Sequence, residues 1–308
     1  MLKKMHEDRR ISLDDTITYI DHNGNWNNDG LIDLDAQARF TQWQVDSGIH
    51  GLIPLGSTGE FLSMSFAERK AIAECVIKTV NGRVPVLVGA GAESTDDVIE
   101  NVEMAENLGA DGTMIIPPFY STPTRSELLK HFELISRKAT KPIMLYNNPA
   151  TANVDLTPDL VAELSHFQHI DYIKESTMDV TRVRDILDFS EGRMNVFGGI
   201  MGYESFLSGA CGWVAVGSNI MPKEFAMLFS FSDKDKNLKE ARSLYKKLLP
   251  IIRLVGGHRY VSATKAALME IGQPVGLPRS PRLPLPDSEF NMVKEALERS
   301  GCQRAQNL

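Results

Sequence analysis

Seven short apolar runs recur between residues 51 and 217, each closed by glycine, proline or a polar residue. They are residues 51–56 (GLIPLG), 84–89 (VPVLVG), 113–117 (TMIIP), 142–147 (PIMLYN), 170–175 (IDYIKE), 194–199 (MNVFGG) and 212–217 (GWVAVG). Taken at positions 56, 89, 117, 147, 174, 199 and 217, their ends are 33, 28, 30, 27, 25 and 18 residues apart. The runs are apolar on both faces and rich in β-branched residues, as strands of a covered parallel sheet must be. A step near thirty residues is the length of a strand, a loop and a returning helix. A weaker run at 16–21 (TITYID) precedes them and makes an eighth strand candidate.

The intervening segments carry helix-start signals. Ser65–Glu68 and Thr124–Glu127 fit the S/T-x-x-E capping box, Ser94–Asp97 is a weaker version, and Thr157 precedes Pro158. Eight strands alternating with helices predict an α/β protein with a (β/α)8 TIM barrel. The alternative, a doubly wound open sheet, calls for a glycine fingerprint after its first strand, and the Asn-rich stretch 22–30 has none. Beyond residue 221 the strand pattern stops; helices are expected near 222–232, 236–255, 259–271 and 287–300, with the Pro-rich stretch 272–286 crossing extended. The 308 residues therefore divide into a barrel with an N-terminal extension (1–220) and a C-terminal helical region packed on it (221–308).

Composition narrows the function classes. A net charge of −7 is the wrong sign for a general nucleic-acid binder. The three cysteines, Cys75, Cys211 and Cys302, are too few and too scattered for a disulfide frame or zinc site and read as free thiols. The N-terminus has no apolar segment of signal-peptide type, and no run approaches the ~18 apolar residues of a membrane span. A cytoplasmic protein is expected.

Barrel enzymes work at the C-terminal ends of their strands. After strand 2 stands Gly56-Ser57-Thr58-Gly59-Glu60, where two hydroxyls between glycines could cradle a carboxylate; the same residues also fit a plain glycine-rich turn. Strand 5 ends in Tyr146-Asn147-Asn148-Pro149 and strand 6 in Lys174-Glu175. A lysine closing an apolar barrel strand either points into the barrel mouth, where desolvation lowers its pKa and favours the nucleophilic amine, or is neutralised by an acid such as Glu175. His166 and His169 precede strand 6, at the opposite barrel face, and suggest no metal site.

In that order and at those strand ends, the motifs resemble the dihydrodipicolinate synthase/N-acetylneuraminate lyase family over about residues 28–300. The resemblance implies a class I lyase that needs no metal or cofactor. Lys174 would form an imine with pyruvate or a longer 2-oxo acid, and Tyr146 would shuttle protons. Ser57 and Thr58 would hold the substrate carboxylate. Tyr120 would reach into a neighbouring subunit and complete a hydroxyl relay with Ser57 and Tyr146. Gly199 and Thr151 are the further substrate-binding positions, and the assembly implied is a homotetramer built from tight dimers.

Family members that make dihydrodipicolinate carry an arginine two residues after the proline of the tyrosine motif, where this sequence has Thr151. Sialic acid lyases carry acidic residues after strand 7, where this sequence has Gly198-Gly199-Ile200-Met201. The Tyr-Asn-Asn-Pro-Ala form is closer to dehydratases, aldolases or deaminases acting on 2-keto-3-deoxy acids and related compounds. Two alternatives stand beside that expectation: a dihydrodipicolinate synthase with another cation replacing the arginine, and a barrel that binds a 2-oxo acid as a non-catalytic sensor.

Overall fold

The computed structural model describes residues 13–15, 31–233, 237–257, 259–273 and 275–302. The strands are β1 Leu13–Asp15, β2 Leu52–Ile53, β3 Leu87–Gly89, β4 Gly112–Ile115, β5 Ile143–Asn147, β6 Ile170–Glu175, β7 Asn195–Gly198 and β8 Gly212–Ala215. Helices follow them: α1 Leu34–Asp46, α2 Phe66–Val80, α3 Thr95–Asn107, α4 Arg125–Lys138, the single turn α5 Pro149–Ala152, α6 Pro158–Leu164, α7 Thr181–Phe189 and α8 Gly202–Leu207. Four more, α9 Pro222–Asp233, α10 Leu238–Val255, α11 Tyr260–Glu270 and α12 Asp287–Arg299, close the chain. This element order is that of a (β/α)8 barrel followed by C-terminal helices. Each of the seven apolar runs overlaps a strand. The run at 16–21 lies outside the described residues.

The chain forms two compact units, one containing Pro85–Val214 and the other joining Asp14–Val84 to Ala215–Leu308. In the first, β3 to β7 pair in sequence, all parallel, and β8 pairs with β7. Its core lies between sheet and helices, where Leu145, Ile173 and Val196 pack with Phe132, Ile135, Val161 and Ile186. Strand alternation then sends Tyr146, Lys174 and Phe197 to the opposite face. The register slips once: Ile143 pairs with Ile170 but Met144 with Tyr172, so exposed Asp171 is an extra residue. That bulge lets Ile170 and Ile173 both face the helices and sets the phase that turns Lys174 inward.

In the second unit β1 pairs parallel with β2, and Ala241, Leu248, Ile251 and Ile252 are the buried stripe of α10. The helix starts hold as their sequences dictate. Ser65 and Thr124 form full capping boxes with Glu68 and Glu127, and Ser94 caps α3 through the Asp97 amide. Thr157 differs: its side chain makes no capping bond, because its hydroxyl bonds the Asp159 carboxylate. Among the described residues no helix is long and apolar enough to cross a membrane.

Candidate active site

Tyr146 and Lys174 are penultimate residues of neighbouring parallel strands and are register partners. Both are buried, and the Lys174 Nζ lies 4.1 Å from the centre of the Tyr146 ring. Burial makes the ammonium form costly, and the negative face of the ring offsets part of that cost. The Tyr146 hydroxyl accepts a hydrogen bond from Asn148 Nδ2 at 3.0 Å, which fixes the direction of its oxygen. Tyr172, the other inward-facing tyrosine, packs edge-on against Phe197, and burial pushes its phenol well above the usual range.

The next residue on each strand faces the helices and builds the support. Asn147 Nδ2 donates to Glu175 at 3.0 Å and to Asp155 at 3.1 Å, while its Oδ1 accepts from the Leu156 amide at 2.9 Å. Arg182, on α7, clamps Asp155 with two bonds of 2.8 and 2.9 Å and lies 3.5 Å from Glu175. The other Glu175 oxygen accepts from the Thr177 amide at 2.8 Å. Glu175, the acid adjacent to Lys174 in sequence, is thus committed to Asn147, Thr177 and Arg182. One residue along a strand is the other face of the sheet, so the same geometry that tethers Glu175 sends Lys174 away from it.

Gly199 follows β7. Its amide donates to the Glu175 carbonyl at 2.8 Å, and its carbonyl accepts from the Trp213 indole at 2.9 Å. A Cβ there would fall 1.7 Å from Ser176 Oγ, so only glycine permits this approach. The Ser176 hydroxyl is buried without a hydrogen-bond partner among the described residues. Thr151, in α5, is exposed, and its hydroxyl donates to the Asn148 carbonyl at 3.2 Å. Tyr120 follows β4 and is 87% exposed.

Ser57 and Thr58 belong to the second unit. Thr58 is buried, and its hydroxyl finds no partner among the described residues; Ser57 is half-buried. The loop is bracketed by two left-handed non-glycine residues, Leu55 (φ 63°) and Glu60 (φ 57°). Such backbone costs on the order of 1–3 kcal/mol per residue and persists only where its surroundings enforce it. At Glu60 the enforcement is ionic. Its buried carboxylate lies 2.8 Å from the buried Lys265 ammonium, which also donates to the Leu277 carbonyl at 3.0 Å. The Arg279 amide donates to the same carboxylate at 2.9 Å, and the Arg279 guanidinium holds Glu68 at 2.6 Å. Burial pushes Lys265 below the ordinary lysine range while Glu60 opposes that shift. The Arg279 bond to Glu68 brings that carboxyl down to about 2.

The geometry therefore joins Lys174 and Tyr146 directly and reveals supports that the sequence reading passed over: Asn148 on the tyrosine hydroxyl, Asp155 and Arg182 behind the strands, and Lys265 under Glu60. Lys265 carried one signal, a lone charge in the otherwise uncharged stretch VSATKAAL (residues 261–268). Among the described residues no group of three or more His, Cys, Asp or Glu side chains could hold a metal.

Comparison with known proteins gives the same picture at three levels. The Dihydrodipicolinate synthetase family model matches residues 22–300. The chain is 33% identical over 270 residues to a 4-hydroxy-tetrahydrodipicolinate synthase of Thermodesulfovibrio yellowstonii, covering 87% of this chain and 91% of that one. To the enzyme of the same name from Bartonella tribocorum it is 33% identical over 298 residues, covering 94% and 97%. Among solved structures, the chloride-inhibited dihydrodipicolinate synthase of Acinetobacter baumannii with pyruvate superposes with a TM-score of 0.90 at 28% identity, over 95% of this chain and 99% of that one. YagE, a prophage protein of this family from Escherichia coli K12 solved with pyruvate, superposes with a TM-score of 0.87 at 28% identity, over 95% and 99%. With its (β/α)8 barrel and C-terminal helices, this chain belongs to the dihydrodipicolinate synthetase family and is a class I lyase-type enzyme.

Proposed function

We propose that the protein is a Schiff-base lyase acting on pyruvate or a 2-keto-3-deoxy-type 2-oxo acid, with Lys174 as the nucleophile. The observation that carries this reading is the buried Lys174 amine at the end of β6, 4.1 Å from the Tyr146 ring centre, with Glu175 turned away into its own network. The neutral amine attacks the C2 carbonyl, water leaves, and the protonated imine that results is an electron sink for carbanion formation at C3. Tyr146 moves the protons, with Asn148 fixing the direction of its oxygen. Ser57 and Thr58 hold the substrate carboxylate; the buried Thr58 hydroxyl, without a partner among the described residues, is what a ligand acceptor would satisfy. Tyr120, exposed on its own chain, completes the relay in a neighbouring subunit of a tetramer, which sedimentation velocity would measure. Thr151 and Gly199 line the side where the rest of the substrate lies, and neither brings a charge to it.

The test is borohydride trapping. Incubation with pyruvate and reduction should give a single adduct, mapped by peptide mass to Lys174. An adduct confined to Lys265, or none with any 2-oxo acid of a panel that includes 2-keto-3-deoxy acids, would sink the assignment. Release of pyruvate, water or ammonia from that panel distinguishes aldolase, dehydratase and deaminase.

The names of the relatives favour a second reading, condensation of pyruvate with aspartate semialdehyde. Thr151 weighs against it, because a neutral, exposed hydroxyl replaces the cation expected for the second carboxylate. Turnover of aspartate semialdehyde no better than that of a Lys174→Ala control removes this reading.

A further inference from the structure

We propose that Glu93 is a positioning residue for Tyr120, acting on proton transfer only through the loop that carries that tyrosine. The inference rests on the role given to Tyr120 above.

The loop after β4 runs Pro117-Pro118-Phe119-Tyr120-Ser121. Its two prolines offer no amide donors, and the three amides that follow all converge on one carboxylate. Phe119 N donates to Glu93 Oε2 at 2.9 Å and Tyr120 N to the same oxygen at 3.0 Å. Ser121 donates to Oε1 through its amide at 2.7 Å and through its hydroxyl as well. Three successive amides closing on one anion form a nest, here filled by the protein's own side chain. Charge-assisted bonds of this kind are about twice as strong as neutral ones.

The matter is functional because of how Tyr120 is exposed. At 87% exposure its ring gains almost nothing from packing on its own chain, so only its backbone can set where it points. That backbone is braced from two neighbouring loops, by Glu93 after β3 and by Asn153, whose Nδ2 donates to the Phe119 carbonyl at 3.2 Å. Glu93 supplies three of those four backbone bonds and accepts from the Ser121 hydroxyl as well. Burial alone would raise its carboxyl, but the bonds from Ser121, Tyr120 and Phe119 bring it down to about 2, so it stays charged at any working pH. The titratable group facing it, His131, is held down to about 4 by burial and is neutral over the same range.

The experiment uses pyruvate in D2O, following exchange of its methyl protons by NMR. This reads formation of the imine and proton transfer at C3 without needing the second substrate. Tyr120→Phe should lower the exchange kcat by about tenfold or more, within the range of general acid–base effects. Glu93→Gln keeps one acceptor oxygen but loses the charge, and should lower kcat comparably. Its KM for pyruvate should change less than about twofold, because the imine and carboxylate contacts are untouched. The double variant should be no slower than the slower single, since both changes act on one group. Glu93→Asp should recover part of the rate. Ser121→Ala, which removes one of the four donors and leaves the fold intact, should give a smaller loss in the same direction. Native exchange by both Glu93→Gln and Ser121→Ala beside an impaired Tyr120→Phe overturns the positioning role alone. So do multiplicative losses in the double variant. Native exchange by Tyr120→Phe instead overturns the role of Tyr120, and the inference with it.

Discussion

The buried pair under the hydroxyl loop makes a demanding test of how this fold is held. Lys265→Met removes an ammonium whose side chain is 2% exposed and leaves opposite it a Glu60 side chain that is 0% exposed. Removing one partner of such a pair costs about 3–5 kcal/mol, because the remaining charge is desolvated without its counter-charge. Two contacts temper the loss: the Arg279 amide at 2.9 Å and the Arg282 guanidinium at 4.0 Å both stay on Glu60. One adds to it, since the Leu277 carbonyl loses its donor, an acceptor penalty of about 1–3 kcal/mol when buried. The expectation is therefore a loss of about 3–5 kcal/mol, read from urea unfolding by far-ultraviolet circular dichroism as a fall in midpoint at constant slope. Glu60→Gln with Lys265→Met removes both charges and should recover most of that loss. A single variant within about 1 kcal/mol of the parent would refute the reasoning. A double variant as unstable as the single would refute it too, because the cost would then belong to lost packing and not to an orphaned charge.

Tyr146→Phe should leave borohydride-trapped adduct on Lys174 intact while slowing pyruvate proton exchange by about 10²- to 10⁴-fold, and an unchanged exchange rate would remove Tyr146 from the chemistry. Gly199→Ala should destabilise by about 1–3 kcal/mol or more, and Ser176→Ala should relieve part of it. The relief is partial because the 1.7 Å contact with Oγ disappears while those of 2.8 and 2.9 Å to Ser176 Cβ and the Glu175 carbonyl remain; thermal midpoints of the three proteins decide it. His131 binds its proton near pH 4 when folded and near 6.5 when unfolded, so the unfolded state holds more protons between those values and stability falls as pH drops through that window. The loss approaches about 3 kcal/mol, and a His131→Gln variant should lack that limb in urea titrations between pH 7 and 4. Glu68 and Glu93, both down to about 2 in the fold, act lower still: their contribution is complete above the unfolded carboxylate pKa and is lost as pH falls from about 4.5 toward 2.

What could be read from the sequence follows from the range of the forces involved. Strands buried on both faces must be apolar throughout, so β2 to β8 were legible as runs. Capping boxes are contacts over three residues, and those at Ser65 and Thr124 formed as written. Thr157 departed because its hydroxyl had a competing carboxylate two residues on, a choice that a motif cannot arbitrate. The two readings of Lys174 needed the strand phase, which the bulge at Asp171 resets and which no periodicity in six residues reveals. Glu60 and Lys265 stand 205 residues apart in the chain, and nothing local to either announces the other. Glu93 was equally silent, because its partners are backbone amides of a loop after a different strand.

Two buried lysines separate by their partners. Lys265 meets a carboxylate at 2.8 Å and a carbonyl at 3.0 Å, both of which favour the ammonium and hold its protons in place. An amine so held is a fastener: its lone pair is in use as an N–H bond, and its neighbours would be left orphaned if it reacted. Lys174 has the Tyr146 ring face 4.1 Å from its nitrogen, a partner that tolerates the cation without binding its protons in a fixed direction. The carboxylate next to it in sequence, Glu175, is engaged by Asn147, Thr177 and Arg182. The network around Glu175 thus does more than brace two strands. It holds the acid next to Lys174 on the far face of the sheet, an arrangement that fits the nucleophilic role proposed for Lys174 and that Lys265, fixed to Glu60, does not share.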